Sequence, residues 1–295
     1  MIDLFVAPIG VVLVLWLVLY GRGWLRLRRR GARLATVYRL VVFWVATILV
    51  SIALLSPVNR LSTDYLFVRS LQTVILCLMA APAFFQSCGY DVMLWGLPTP
   101  ARRWLYRTVN RSTRQGAVVR KVAPPGVAWL LFLALFLIWH DPSFVNWATQ
   151  TPALHTAALL LLGLVALLFW WHVVGTGPRL QAPLAPWLIA IMLVITEIVN
   201  MTTGVSLAFA TEPLYGHYAA VAAAAGSTRA LGVLGDQALA GGIVWVAGSF
   251  VYISSIILVV NRLFVLHGGS QPEPYANWDA DERMIMPGLE HRVRR

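Results

Sequence analysis

Residues 154–171, LHTAALLLLGLVALLFWW, form an 18-residue run that holds one histidine, His155, and no Asp, Glu, Lys or Arg. At 1.5 Å rise per residue a helix of that length covers roughly 27 Å, close to the roughly 30 Å hydrocarbon core of a bilayer. The run is predicted to be a membrane-spanning helix. It follows a short polar link bracketed by His140 and His155 and ends in Phe169, Trp170, Trp171 and His172.

The rest of the chain fits the same solvent. It is 59% hydrophobic and 12% charged, with a mean hydropathy of +0.73. That is more apolar material than one soluble core of 295 residues would bury. Seven apolar runs, near 4–20, 35–56, 66–86, 126–140, 154–174, 184–210 and 239–262, each approach spanning length. The expected fold class is therefore all-α, a polytopic membrane protein with seven transmembrane helices. The bundle is expected over residues 1–262, with a polar tail over 263–295. The first run lacks a positive n-region and a small-residue cleavage site, so it is read as a retained span. Cys77 and Cys88 have neither a metal-binding spacing nor that of a disulfide framework.

A net charge of +11 raises the question of a nucleic-acid partner, but the arginines lie in blocks beside the apolar runs. That distribution belongs to membrane topology, and no nucleic acid is expected. The first loop and its edge carry Arg22, Arg26, Arg28, Arg29, Arg30, Arg33 and Arg39, and the third, residues 87–125, carries six arginines and Lys121, whereas the alternate loops are nearly bare. The positive side is the cytoplasmic one, which places the N-terminus outside and the C-terminus inside a bacterial cytoplasmic (inner) membrane. Within the third loop Thr99 and Pro100 form a helix start. Beyond them Arg103, Arg107 and Arg111 recur every four residues, opposite a face of Trp104, Leu105, Thr108 and Val109. This spacing predicts an interfacial helix with its arginines near lipid headgroups; a solvated basic loop is the alternative. The sixth loop, rich in Ala and Gly, is expected to fold back on the outer helix ends.

Three histidines, His140, His155 and His217, fall on the predicted outer side, with Asp141 and Asp236 near them. Histidine with carboxylate is a ligand set for copper or zinc, but none of the three has a partner at i+3 or i+4. The competing reading, hydrogen-bonded residues at a membrane edge, is the preferred one. His155 and His172 lie roughly 25 Å apart along one helix, so they cannot share a haem iron. Two charges stand inside spans, Arg69 in the third and Glu197 in the sixth. A charge in hydrocarbon costs about 2.5–3.5 kcal/mol on insertion scales, so the two are expected to form a structural ion pair. A proton pathway through Glu197 is the alternative. No phosphate loop, nucleophile elbow or paired intramembrane carboxylates occur, and no enzyme activity is expected.

The order Trp139-His140-Asp141-Pro142, Leu154-His155, Phe169-Trp170-Trp171, Glu212-Pro213-Leu214-Tyr215 and His217-Tyr218, then Asp236-Gln237 with Ala240-Gly241-Gly242 and Trp245, resembles the multi-span CtaG-like family of cytochrome c oxidase assembly factors. The likeness runs over about residues 35–262. The resemblance implies copper handling, since the family usually carries a His-Met-x-Gln-His run in the third span. Here the run reads Arg69, Ser70, Leu71, Gln72, Thr73, and the family's acid and histidine after His155 are Ala158 and Leu159. Four of the ligands implied by the resemblance are thus absent.

The expected function is a non-enzymatic membrane protein for assembly or structure of a cytochrome oxidase or related electron-transfer complex, without a functional copper site and with no other cofactor. Its expected partners are membrane subunits of that complex and lipid headgroups. A permanent structural subunit of a respiratory or photosynthetic complex is the alternative, and a small-ion transporter a third class.

Overall fold

A computed structural model of the chain describes residues 6–55, 57–109, 117, 124–177, 183–226 and 231–267. Among these residues there are helices and no strands. Six helices are long and apolar enough to cross a membrane: Ala7–Arg29, Val37–Leu55, Leu66–Gln86, Pro152–Val174, Pro186–Ala208 and Val233–Phe264. Numbered with the fourth apolar run in its place, they are the first, second, third, fifth, sixth and seventh spans. The fourth run is a bent pair, Pro125–His140 and Pro142–Ala148, turned by 76°. Pro142 cannot continue the helix that ends at His140, and the Asp141 carboxylate accepts the Phe144 N–H at 2.9 Å to start the next one. The seven expected runs are thus all helical, and the seventh reaches His267, five residues past the expected bundle edge. Most of the expected tail, residues 268–295, lies outside the described residues.

The third span is the centre of the bundle. Its most apolar window is 78% buried, against 17–44% for the other spans. It packs with the second and fifth spans around Leu76, Leu159, Leu162 and Ala166. Both the third and seventh spans contain a π-helical stretch, Val74–Ala80 and Ile243–Ala247. The wider π turn leaves carbonyls without their usual partner, and neighbouring spans supply donors. The Trp170 indole N–H binds the Cys77 carbonyl at 2.8 Å, and the Asn200 amide binds the Val244 carbonyl at 3.1 Å. The sixth and seventh spans meet at Gly204 and Gly241. A Cβ on Gly241 would run into the Ala208 backbone, and one on Gly204 would lie 2.6 Å from the Trp245 nitrogen.

Span ends gather on two faces, one carrying most of the arginines. There Arg26 donates to the carbonyls of Trp95 and Leu97 at 2.8 and 2.9 Å, closing the C-terminus of the helix Gly89–Gly96. The stretch expected to lie at the interface is helical over Thr99–Val109, with Arg103 and Trp104 exposed. The Arg107 side chain and Arg111 lie outside the described residues. On the arginine-poor face the sixth loop folds back as expected: the helix Gly216–Ala225 buries Tyr218 against the bundle.

Candidate functional site

The third span begins on the arginine-poor face with a buried polar cluster built from six segments. Tyr65, at the N-cap position, supplies no capping side chain. The seventh span does so instead: the Asp236 carboxylate accepts the Leu66 and Phe67 N–H groups at 3.0 and 2.9 Å. Two of the four orphan donors of a buried helix end are met this way. The neighbouring Gln237 ties down the sixth loop, accepting the Leu214 N–H at 2.8 Å and donating to the Glu212 carbonyl at 3.2 Å.

One turn further in, Arg69 is 1% exposed. Its guanidinium lies 3.9 Å from the centre of the Trp139 ring and donates to the Trp139 carbonyl at 2.8 Å. The Trp139 indole N–H in turn binds Thr73 Oγ1 at 2.8 Å, and that hydroxyl donates to the Arg69 carbonyl at 2.9 Å. A closed ring of contacts therefore joins the third and fourth spans. The cation is held by an aromatic face and a carbonyl dipole.

The expected pair with Glu197 does not form. Glu197 accepts hydrogen bonds from Ser249 and, at 3.4 Å, from the Asn200 amide. Depth explains the difference. Arg69 is three residues from the arginine-poor end of its helix and Glu197 eleven from that end of its own, or about 5 and about 17 Å at 1.5 Å per residue. The two charges lie at different levels along the bundle.

The histidines are tied down by oxygens. Ser62 Oγ donates to the Asn59 carbonyl at 2.8 Å, so it can only accept from His155 Nε2, 3.1 Å away. Gln72 presents the same polarity: its amide nitrogen donates to the Ala53 carbonyl and to Asn59 Oδ1, leaving Oε1 to face His155 Nε2 at 3.4 Å. His155 is therefore the Nε2–H tautomer, and its buried Nδ1 has no hydrogen-bond partner. His217 donates from Nε2 to the Thr63 carbonyl at 2.8 Å, and His140 from Nδ1 to that of Phe136 at 2.8 Å. Two tyrosines close the cluster, Tyr215 on the His140 carbonyl at 2.8 Å and Tyr218 on that of Ser62 at 2.7 Å. Burial pushes the Tyr215 hydroxyl up to about 12 against the opposing pull of Arg69, which keeps it a neutral donor.

Among the described residues no three of His, Cys, Asp or Glu converge so as to hold a metal ion. The two acids near the histidines are both used as helix caps, Asp141 locally and Asp236 across the bundle. Both cysteines are buried free thiols. Arg69 stands within electrostatic reach of His140 and His155, so a fixed positive charge already occupies their surroundings. The residues present do not fit the copper that the resemblance implies. The sequence pointed to His140, His155, His217 and Arg69, and the structure gathers all four on one side; it missed Ser62 and Asn59, and it named Asp236 only as an acid near the histidines and Thr73 only as a lost ligand position. Small polar residues at span ends carry no periodic signal, and Asp236 is set apart only by being an acid within an apolar stretch.

No curated protein sequence and no solved structure matches the chain. A family model, the cytochrome c oxidase caa3 assembly factor, matches residues 18–265. With most of the length covered, and with an all-helical bundle of six to seven candidate spans beneath it, the chain belongs to the caa3-type cytochrome c oxidase assembly factor (CtaG) family.

Proposed function

We propose that this chain serves assembly of a haem-copper oxidase as a non-enzymatic partner of the oxidase subunits within the bilayer, and not as a carrier of copper. It would lie multi-pass in the bacterial cytoplasmic membrane, N-terminus outside and C-terminus inside, as the arginine distribution suggests. The observation that carries the copper-free reading is Arg69. A buried guanidinium seated on Trp139, with His140 and His155 within its field, opposes a second cation at the same place. What the cluster does instead is lock six segments into one outer surface on which a partner can dock.

The test is complementation. A host lacking the gene should lose assembled oxidase, read from its haem absorbance, and recover it equally with the wild type and with a His140→Ala, His155→Ala variant. Failure of a folded double-histidine variant, together with stoichiometric copper on the purified wild type, would restore copper insertion. Copurification with mature oxidase at one to one would make the chain a permanent subunit. Cysteine labelling in intact cells tests the orientation: a reporter at the end of the tail should resist an impermeant reagent.

A further inference from the structure

Four spans end around one cavity on the arginine-rich face. A space of about 320 Å³ is lined by Arg39 near the start of the second span, Gln86 at the end of the third, Thr176 just past the fifth and Arg262 near the end of the seventh. Trp170 and Leu258 give it an apolar side. Because its polar residues sit at the ends of spans, the cavity lies where acyl chains give way to headgroups.

Its charge is one-sided. Two arginines line the cavity, and among the described residues no Asp or Glu does. Among the described residues Arg39 donates to the Arg33 carbonyl at 3.3 Å and Arg262 to the Val174 carbonyl at 3.5 Å, each through Nη1. Both bonds are long, and a guanidinium carries five N–H donors in a fork suited to phosphate. Most of that capacity is left for an acceptor from outside the chain. A free anion would use the arginines and leave the apolar side idle, whereas a lipid would use both. A choline headgroup would bring a third cation to the two already present.

We infer that this cavity binds an anionic phospholipid, with Arg39 and Arg262 on the phosphate diester and the acyl chains running down beside Leu258. The site is separate from the helix Thr99–Val109 and fixes a lipid where the second, third, fifth and seventh spans meet.

The experiment is native mass spectrometry of the full chain released from detergent, with phosphatidylglycerol or phosphatidylcholine added. The wild type should retain phosphatidylglycerol in preference to phosphatidylcholine. An Arg39→Gln, Arg262→Gln variant should bind it about 25-fold less, at about fivefold per charge. An Arg22→Gln, Arg29→Gln variant removes the same charge from exposed positions on the first span and should retain the lipid as the wild type does. An Arg39→Lys, Arg262→Lys variant should keep the preference in weakened form, and it covers the case in which the glutamine variant does not fold. Equal retention of the two lipids, or equal loss in the two glutamine variants, would overturn the site in favour of diffuse surface charge. Displacement of phosphatidylglycerol by millimolar inorganic phosphate on the wild type would overturn it in favour of a soluble anion.

Discussion

Arg69 and Trp139 hold each other twice, through a cation 3.9 Å from the indole ring centre and through a 2.8 Å hydrogen bond to the tryptophan's own carbonyl. The pair couples the third and fourth spans without a carboxylate. A lysine would keep the buried charge and lose the planar stack, since its ammonium is a compact, strongly hydrated point charge. Arg69→Lys should therefore destabilise the protein by about 2 kcal/mol or more, and at least as much as Arg69→Met, which removes the charge with the stack. Thermal unfolding in detergent measures the order. Combined with Glu197→Leu, the loss from Arg69→Met should be additive within about 0.5 kcal/mol, because the two residues share no partner.

Gln72 sits between three groups it satisfies at once: the Ala53 carbonyl, Asn59 and His155. Gln72→Leu leaves these buried groups short of a partner, at about 1–3 kcal/mol for each group stranded. A total loss of about 2–4 kcal/mol is expected, since Ser62 still accepts from His155. The ring nitrogen shifts of His155, read by solid-state NMR, should show the proton on Nε2 in the wild type. A proton on Nδ1 would mean the amide of Gln72 is turned the other way.

The apolar runs were legible because a lipid-spanning helix must be long and uncharged, and that requirement leaves a mark on every residue of the run. The break at Asp141-Pro142 was legible only as polar link, since its 76° turn depends on what the short helix packs against. The π turns left no sequence mark. Their exposed carbonyls are met by Trp170 and Asn200, donors from other spans whose position only the fold decides. Arg69 and Glu197 stood out correctly as charges needing partners. The pairing failed because helix ends uncertain by several residues translate into many ångströms of depth, and because a tryptophan face was not counted as a partner for a cation.

Asp236 caps a helix that is 170 residues away in sequence, with one carboxylate oxygen on each of two N–H groups. Asp236→Asn keeps one acceptor oxygen and Asp236→Ala keeps none. The alanine variant should lose about 1–2 kcal/mol, in the range of strong caps, and the asparagine variant less. Hydrogen exchange at Leu66 and Phe67 should speed up in the same order. Unchanged exchange in Asp236→Ala would show that another group, or water, caps the third span.

Adjacent glycines on the seventh span make a controlled comparison of packing. A Cβ at Gly241 would collide with the backbone of Gly204 and Ala208, whereas one at Gly242 would meet nothing within 4 Å. Both positions are helical, so alanine brings the same propensity gain of about 1 kcal/mol at either site. Gly241→Ala must push the sixth and seventh spans apart, and close approach through small residues is what associates helices in lipid. It should destabilise by about 1–3 kcal/mol, as overpacking does, while Gly242→Ala stays neutral or gains slightly. Thermal unfolding of the two variants side by side decides the matter. Equal effects would show that the Gly204–Gly241 contact is looser than the structure has it, and that the two spans are held mainly by Asn200 and Ser249.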